Sequence, residues 1–187
     1  MKSRKSYLCI AAAFVLLTTS CGDQTNDSKE MAEEANDQKF DNNMERDAEF
    51  VTKAADGGMM EVQLGQLAQS KATTPEAKEF AAMMVADHSK ANEELKNLAA
   101  QKGISVPAAL SNDKQEMYDD MSKKTGADFD KAYISHMVKD HKEDIELFRK
   151  EAENGNDVEL KNWASGKLPI LEHHLQMAQR ADSVLSK

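Results

Sequence analysis

The chain has 187 residues, 30% of them charged, and carries a formal net charge of −9. This acidity argues against charge-driven binding of nucleic acid or anionic lipid. The sequence has no phosphate-binding loop, dinucleotide-binding glycine motif or Ser/His/Asp arrangement, so the common nucleotide-binding and hydrolase classes find no support.

Residues 1–20 have the layout of an export signal. Basic residues at positions 2, 4 and 5 precede an apolar run from Tyr7 to Leu17, which is short for a membrane-spanning helix. Small residues then precede Cys21, which resembles a bacterial lipoprotein signal, in which the cysteine becomes the lipidated first residue. We therefore expect lipid on Cys21, membrane attachment through that lipid, and a location in the bacterial cell envelope, periplasmic or at the outer membrane. The alternative is an ordinary secretory signal with an incidental cysteine.

The segment after the signal is polar. Loss of the signal removes Cys9, so neither an internal disulfide nor a thiolate metal cluster is expected. Residues 21–44 are rich in acidic and amide side chains, which predicts a disordered tether. The remaining residues, 45–187, have the length of one domain.

Apolar residues in this domain recur at intervals of three and four, which predicts an all-α fold. We expect helices over about 47–69, 75–102, 112–124, 128–153 and 157–185. Thr74 and Pro75 form a helix start and Gly103 a helix stop. The glycine pair at 57–58 indicates either close helix packing or a break, and Pro169 should kink or split the last helix. Four long helices with a short extra helix between the second and third make a four-helix bundle.

A repeated sequence motif lies near the middle of the predicted bundle. The segment from Met84 to His88 reads MVADH, and the segment from Met137 to His141 reads MVKDH. Each places its histidine on the apolar face of a long helix, and Glu61 and His174 have similar positions on the other two. Because all four lie near the midpoints of helices of similar length, we expect one layer.

Three imidazoles and a carboxylate suit a divalent transition metal ion such as zinc, iron or copper. The predicted ligands are Glu61, His88, His141 and His174, and Asp144, one turn after His141, could supply a further ligand. The alternative is a metal-free layer of hydrogen-bonded histidines. Further polar residues lie near the layer: His136 and His173 are predicted at the surface, and Asp87 and Asp140 are either partners that orient a ligand or solvated acids.

These motifs resemble the bacterial envelope family called domain of unknown function 4142, which is described as ferritin-like and as an outer-membrane protein. The resemblance rests on the segments Met60–Ala68, Lys78–His88, Met137–His141 and Leu168–Leu175. It implies a ferritin-like helical bundle with its motif positions at Glu61, His88, His141 and His174. Ferritin di-iron centres use paired Glu-x-x-His motifs. No inward-facing motif of that kind occurs here, so a single histidine-rich metal site is favoured over a ferroxidase.

The sequence therefore supports two alternative functions. One is a metal-binding envelope lipoprotein for buffering, sensing or stress protection. The other is a structural or protein-interaction lipoprotein whose histidines serve core packing. An enzyme is the less favoured reading, and no protein partner is indicated.

Overall fold

A computed structural model describes residues 27–186, apart from the side chain of Asn42. The described residues form six helices and no strand, so the all-α prediction is confirmed. The helices are α1 Ser28–Asp37, α2 Asn42–Lys71, α3 Pro75–Lys102, α4 Asn112–Ser122, α5 Gly126–Asn154 and α6 Val158–Leu185. The predicted export signal and Cys21 lie outside the described residues. In the described part of the chain, no helix has both the length and the apolar character needed to cross a bilayer.

Local side-chain chemistry sets the ends of α3. The hydroxyl of Thr74 accepts the N–H of Ala77, and Pro75 occupies the first turn, where its missing N–H has no helical partner to lose. The helix ends at Gly103, whose φ of 67° is the left-handed conformation that glycine adopts without strain. Both predicted boundaries of this helix are confirmed.

Of the alternatives predicted for α2 and α6, neither the break at the glycine pair nor the split at Pro169 occurs. Helix α2 continues through its glycine pair, and a Cβ atom at Gly58 would lie 2.0 Å from Oδ1 of Asn92 on α3. One at Gly65 would lie 2.8 Å from Val85 Cγ2, so these glycines allow α2 and α3 to approach closely. Helix α6 runs uninterrupted past Pro169, so the proline does not split it.

The four long helices form two helical hairpins. Helices α2 and α3 pack extensively and are joined by residues 72–74, and α5 and α6 do the same around residues 155–157. Such short connections make each pair antiparallel. The hairpins meet because α2 contacts α5 and α3 contacts α6, while the short α4 packs against α2 and α5.

Three buried aspartates fix the connections between helices. The carboxylate of Asp130 accepts backbone N–H groups of the 72–74 connection, and that of Asp47 accepts those of the 155–157 connection. Asp56 accepts the N–H and hydroxyl of Ser111 at the start of α4. Each carboxylate satisfies backbone donors that a helix end would otherwise leave unpaired.

In the described part of the predicted tether, from residue 27 to residue 44, the structure contains helix. Helix α1 covers Ser28–Asp37, and α2 already begins at Asn42. Polar contacts to distant parts of the chain hold α1, and Ala32 is the buried apolar residue of this helix. The buried Asn36 side chain accepts the N–H of Ser105 at 2.7 Å and donates to its carbonyl at 3.0 Å. A composition rule counts apolar surface and therefore overlooks side chains that bond to distant backbone groups.

The core consists of two apolar clusters. The first includes Met60, Phe80, Met84, Phe129, Tyr133 and Met137. The second includes Phe50, Leu95, Ile145, Phe148, Leu160 and Leu171. Along α3, α5 and α6, the histidine singled out from the sequence lies between residues of the two clusters, and on α2 Glu61 directly follows Met60 of the first cluster. The polar layer therefore lies between the two apolar clusters of the core.

Candidate metal centre

Each long helix contributes one side chain to this polar layer. Glu61 comes from α2, His88 from α3, His141 from α5 and His174 from α6. All four are buried, and the two last have no exposed surface. The imidazole ring centroids lie 5.2–5.5 Å apart. The structure thus brings together the four residues selected from helical periodicity.

One ring nitrogen from each histidine points toward a common centre. His88 Nε2 lies 3.2 Å from His174 Nδ1, and His141 Nε2 lies 3.4 Å from the same atom. One potential ligand atom from each ring lies within 4.8 Å of the others. Zinc–nitrogen bonds of about 2.0–2.1 Å in a tetrahedron separate the nitrogens by about 3.3–3.4 Å. The observed spacing therefore matches an edge of a tetrahedral metal site.

The hydrogen bonds of the outer ring nitrogens determine which nitrogen of each imidazole carries the proton. His141 Nδ1 lies 3.1 Å from the carbonyl of Met137, which only accepts, so this nitrogen carries the proton and donates. His174 Nε2 donates likewise to Asp87 Oδ2 at 2.9 Å. The inner nitrogens of both rings consequently present lone pairs. Asp87 thus orients a histidine, one of the two roles predicted for it.

Glu61 lies on the far side of His88 from this centre. Its Oε2 atom is 2.7 Å from His88 Nδ1, and a carboxylate there favours a proton on that nitrogen. That assignment leaves a third lone pair on His88 Nε2. Its other oxygen, Oε1, lies 3.5 Å from the outer nitrogen Nδ1 of His141, so Glu61 contacts the outer edges of two histidines and does not share the point where the three ring nitrogens meet. This differs from the predicted set of four ligands around one ion.

Burial keeps the imidazoles neutral. It lowers the pKa of His88 and of His174, and it holds the pKa of His141 well below its ordinary value, with the neighbouring His88 and His174 adding to the effect. Neutral imidazole is the form that ligates metal ions. The site is thus already in its binding-competent protonation state near neutral pH.

The predicted Asp144 belongs to a second, adjacent group of side chains. Glu61, Asp140, His141 and Asp144 each offer a ligand atom within 4.8 Å of the others. Burial raises the pKa of both aspartates and holds the pKa of Glu61 well above its ordinary value, and the negative charges reinforce one another. Asp140 is buried, so its predicted alternative role as a solvated acid is wrong.

Two further residues near the layer each have a buried polar atom without a hydrogen-bond partner. His136 is half-buried with a buried, unpartnered Nε2, so its prediction as a surface residue is wrong, whereas His173 is exposed as expected. The hydroxyl of Tyr133 is also buried without a partner. Periodicity identifies the face of a helix but not whether a hydroxyl on it finds an acceptor.

A partly open cavity of about 100 Å³ reaches the layer from one side. Its wall includes Glu61, His88, Asp144, Phe148, Trp163 and His174. The volume corresponds to a few water molecules at about 30 Å³ each. A small molecule or ion could therefore reach two of the three histidines without unfolding the bundle.

Comparison with known proteins gives a single assignment. No curated protein and no solved structure matches the chain. A family model described as "Domain of unknown function (DUF4142)" matches residues 29–181, which include every residue of the polar layer. The match begins inside α1, so the family's sequence pattern extends beyond the four long helices. The chain belongs to the DUF4142 family.

Proposed function

We propose that this protein is an envelope-anchored lipoprotein whose ferritin-like four-helix bundle binds a divalent transition metal ion. His88, His141 and His174 would ligate the ion, which we expect to be zinc, iron or copper. Metal buffering, sensing or stress protection is the role that such binding would serve.

The observation that carries this proposal is that two buried ring nitrogens, each with a lone pair, face each other. His141 Nε2 and His174 Nδ1 lie 3.4 Å apart, and each ring uses its proton on the opposite side. Two buried acceptors facing each other are unfavourable unless a cation or a donor lies between them. A divalent ion satisfies both acceptors and the Nε2 atom of His88 at once.

The surroundings support an exchangeable ion. Three protein ligands leave a fourth position, and the adjacent cavity could supply water or another small ligand to it. Asp87 and Glu61 contact the outer nitrogens of His174 and His88, as acidic partners of metal-bound histidines do. Reversible binding fits buffering and sensing better than a closed structural site does.

The direct test is metal content. Protein purified without a histidine tag and dialysed against zinc should retain about one equivalent, and X-ray absorption should report imidazole nitrogens at about 2.0–2.1 Å. His141→Ala should lose the bound zinc. His173→Ala is the matched control, because that side chain is exposed beside the layer. Equal zinc content in the two variants would remove the basis of the proposal.

The second candidate function is structural, and one observation favours it. A protonated Glu61 beside His88 Nδ1 would move the His88 proton to Nε2, which could then donate to His174 Nδ1 at 3.2 Å. His174 would in turn donate a hydrogen bond from Nε2 to Asp87. This arrangement still leaves the fully buried His141 Nε2 without a donor, so we favour the metal. Wild-type protein that binds no transition metal would reverse that preference.

Membrane anchoring is a separate part of the proposal. It rests on the apolar run and the small residues before Cys21, since a tripartite signal of this kind precedes lipidated cysteines. Multiple acyl chains bind a membrane firmly, whereas one alone binds weakly. Cys21→Ser should therefore shift the protein from the membrane pellet to the soluble fraction. Unchanged fractionation would contradict lipid anchoring and leave the metal proposal intact.

A further inference from the structure

Three buried carboxyl groups beside the histidines have oxygens without partners. They are Oε1 of Glu61 on α2, and Oδ2 of Asp140 and of Asp144 on α5. Each oxygen is inaccessible to solvent, and Glu61 and Asp140 are buried as whole residues. Most buried polar atoms in folded proteins find a hydrogen-bond partner. Three exceptions at one place indicate a missing positive partner rather than scattered packing defects.

The three carboxyl groups lie close together. The ligand atoms of this group lie within 4.8 Å of one another, and Asp140 and Asp144 are one helical turn apart. Metal–oxygen bonds of about 2.1–2.4 Å separate opposite ligands by about 4.2–4.8 Å. A cation with oxygen ligands would therefore contact all three groups with little movement.

Among the described residues, no side chain forms a hydrogen bond with these three oxygens, although His141 Nδ1 lies 3.5 Å from Glu61 Oε1 and His136 lies near enough to Asp140 to act on its charge. The charge of Lys114 on α4 acts on all three groups, but the three buried oxygens remain unpartnered. His141 belongs to the same group, yet its Nδ1–H donates to the Met137 carbonyl, so it has no free lone pair on that side. The carboxyl groups are thus the available ligands.

We propose that Glu61, Asp140 and Asp144 form a second cation site, distinct from the three histidines, that takes a divalent ion with a preference for oxygen ligands, such as manganese(II). Glu61 links the two sites, because Oε2 contacts His88 while the residue also belongs to the carboxylate group and its Oε1 is buried without a hydrogen bond. An oxygen-rich site beside a nitrogen-rich site would bind two different metals by ligand type.

The competing occupant is a proton. Asp144 lies close enough to Glu61 for a hydrogen bond between the two carboxyl groups, provided that one of them is protonated. Such a pair would resemble two carboxylic acids that share one proton. It would satisfy Glu61 and Asp144 but leave Asp140 without a partner.

The test is manganese binding to zinc-loaded, untagged protein, followed by electron paramagnetic resonance and by metal analysis after dialysis. Wild type should bind about one manganese ion while it keeps its zinc. Asp144→Asn and Asp140→Asn should each weaken manganese binding at least tenfold and leave zinc content unchanged. Glu143→Gln is the matched control, because this exposed acid lies next to Asp144 on α5 and should have no effect.

The two sites can fail independently. His174→Ala should lose zinc but keep manganese, because His174 does not belong to the carboxylate group. If wild type binds manganese but never zinc, the carboxylate site stands and the histidine proposal falls. If manganese does not bind, or enters only as zinc leaves, no second cation site exists and the carboxyl groups are held by protons.

Discussion

Removal of the Asp87 carboxylate should weaken metal binding without unfolding the protein. Asp87 accepts the Nε2 proton of His174 at 2.9 Å, and this bond holds the inner Nδ1 atom of His174 as a lone pair. In Asp87→Ala the ring loses that restraint and can rotate or carry its proton on the inner nitrogen. Both changes reduce the fraction of protein that presents three lone pairs.

The size of this effect follows from exposure. A hydrogen bond to a charged group contributes about 1.5–3 kcal/mol when buried. The Asp87 side chain is 47% exposed whereas that of His174 is 1% exposed, so solvent screening should reduce the contribution to about 1–2 kcal/mol. Zinc affinity should then fall about 5- to 30-fold, which overlaps the range of about 10- to 100-fold that is usual for losing the outer partner of a ligand histidine.

Competition with a chromophoric zinc chelator measures this affinity. Asp87→Asn should retain most of it, because the amide oxygen can still accept the His174 proton. Glu93→Ala, which removes an exposed acid from the same helix, should leave it unchanged. If Glu93→Ala weakens zinc binding as much as Asp87→Ala does, the effect is one of net charge and the orientation argument is wrong.

Three further predictions concern stability. Phe80→Ala should cost about 3–5 kcal/mol by urea unfolding, because Phe80 is 1% exposed in the first apolar cluster, and a loss below 1 kcal/mol would contradict this packing. Asn36→Ala should cost about 1–3 kcal/mol and speed hydrogen exchange at the Ser105 N–H, whereas unchanged exchange would mean that α1 is not docked. Burial and nearby acids raise the pKa of Glu151 to about 7, so folded protein loses stability relative to unfolded chain as pH rises from about 4 to 7. Glu151→Gln should therefore be up to about 3 kcal/mol more stable than wild type at pH 8 and lose that advantage at pH 4, and a difference independent of pH would refute this account.

Much of the fold follows from local sequence rules. The helix start at Thr74 and the stop at Gly103 depend on neighbouring residues alone, so the sequence predicts both ends of α3. Local sequence rules do not predict the docking of helix α1, because Asn36 bonds to Ser105, a residue 69 positions away. The attachment depends on a contact that exists only after the chain has folded.

The candidate site also has features that the sequence predicts and features that depend on contacts formed only after folding. Periodicity and equal distances from helix ends bring His88, His141 and His174 into one layer without any knowledge of packing. Which nitrogen of each ring faces inward depends on acceptors such as the Met137 carbonyl and Asp87. The role of Glu61 changes for the same reason, since helical position does not reveal on which side of His88 its carboxylate lies.

The central claim is that the three inner ring nitrogens bind one transition metal ion, and zinc-dependent melting of untagged protein tests it most directly. Zinc at about 100 times its dissociation constant should stabilise the folded state by about 2.7 kcal/mol. For a domain of this size the melting temperature should rise by about 5–10 °C. His141→Ala should lose this rise, and His173→Ala should keep it. If zinc, iron and copper all leave the melting temperature of wild type unchanged, the layer is a metal-free core and the account is wrong.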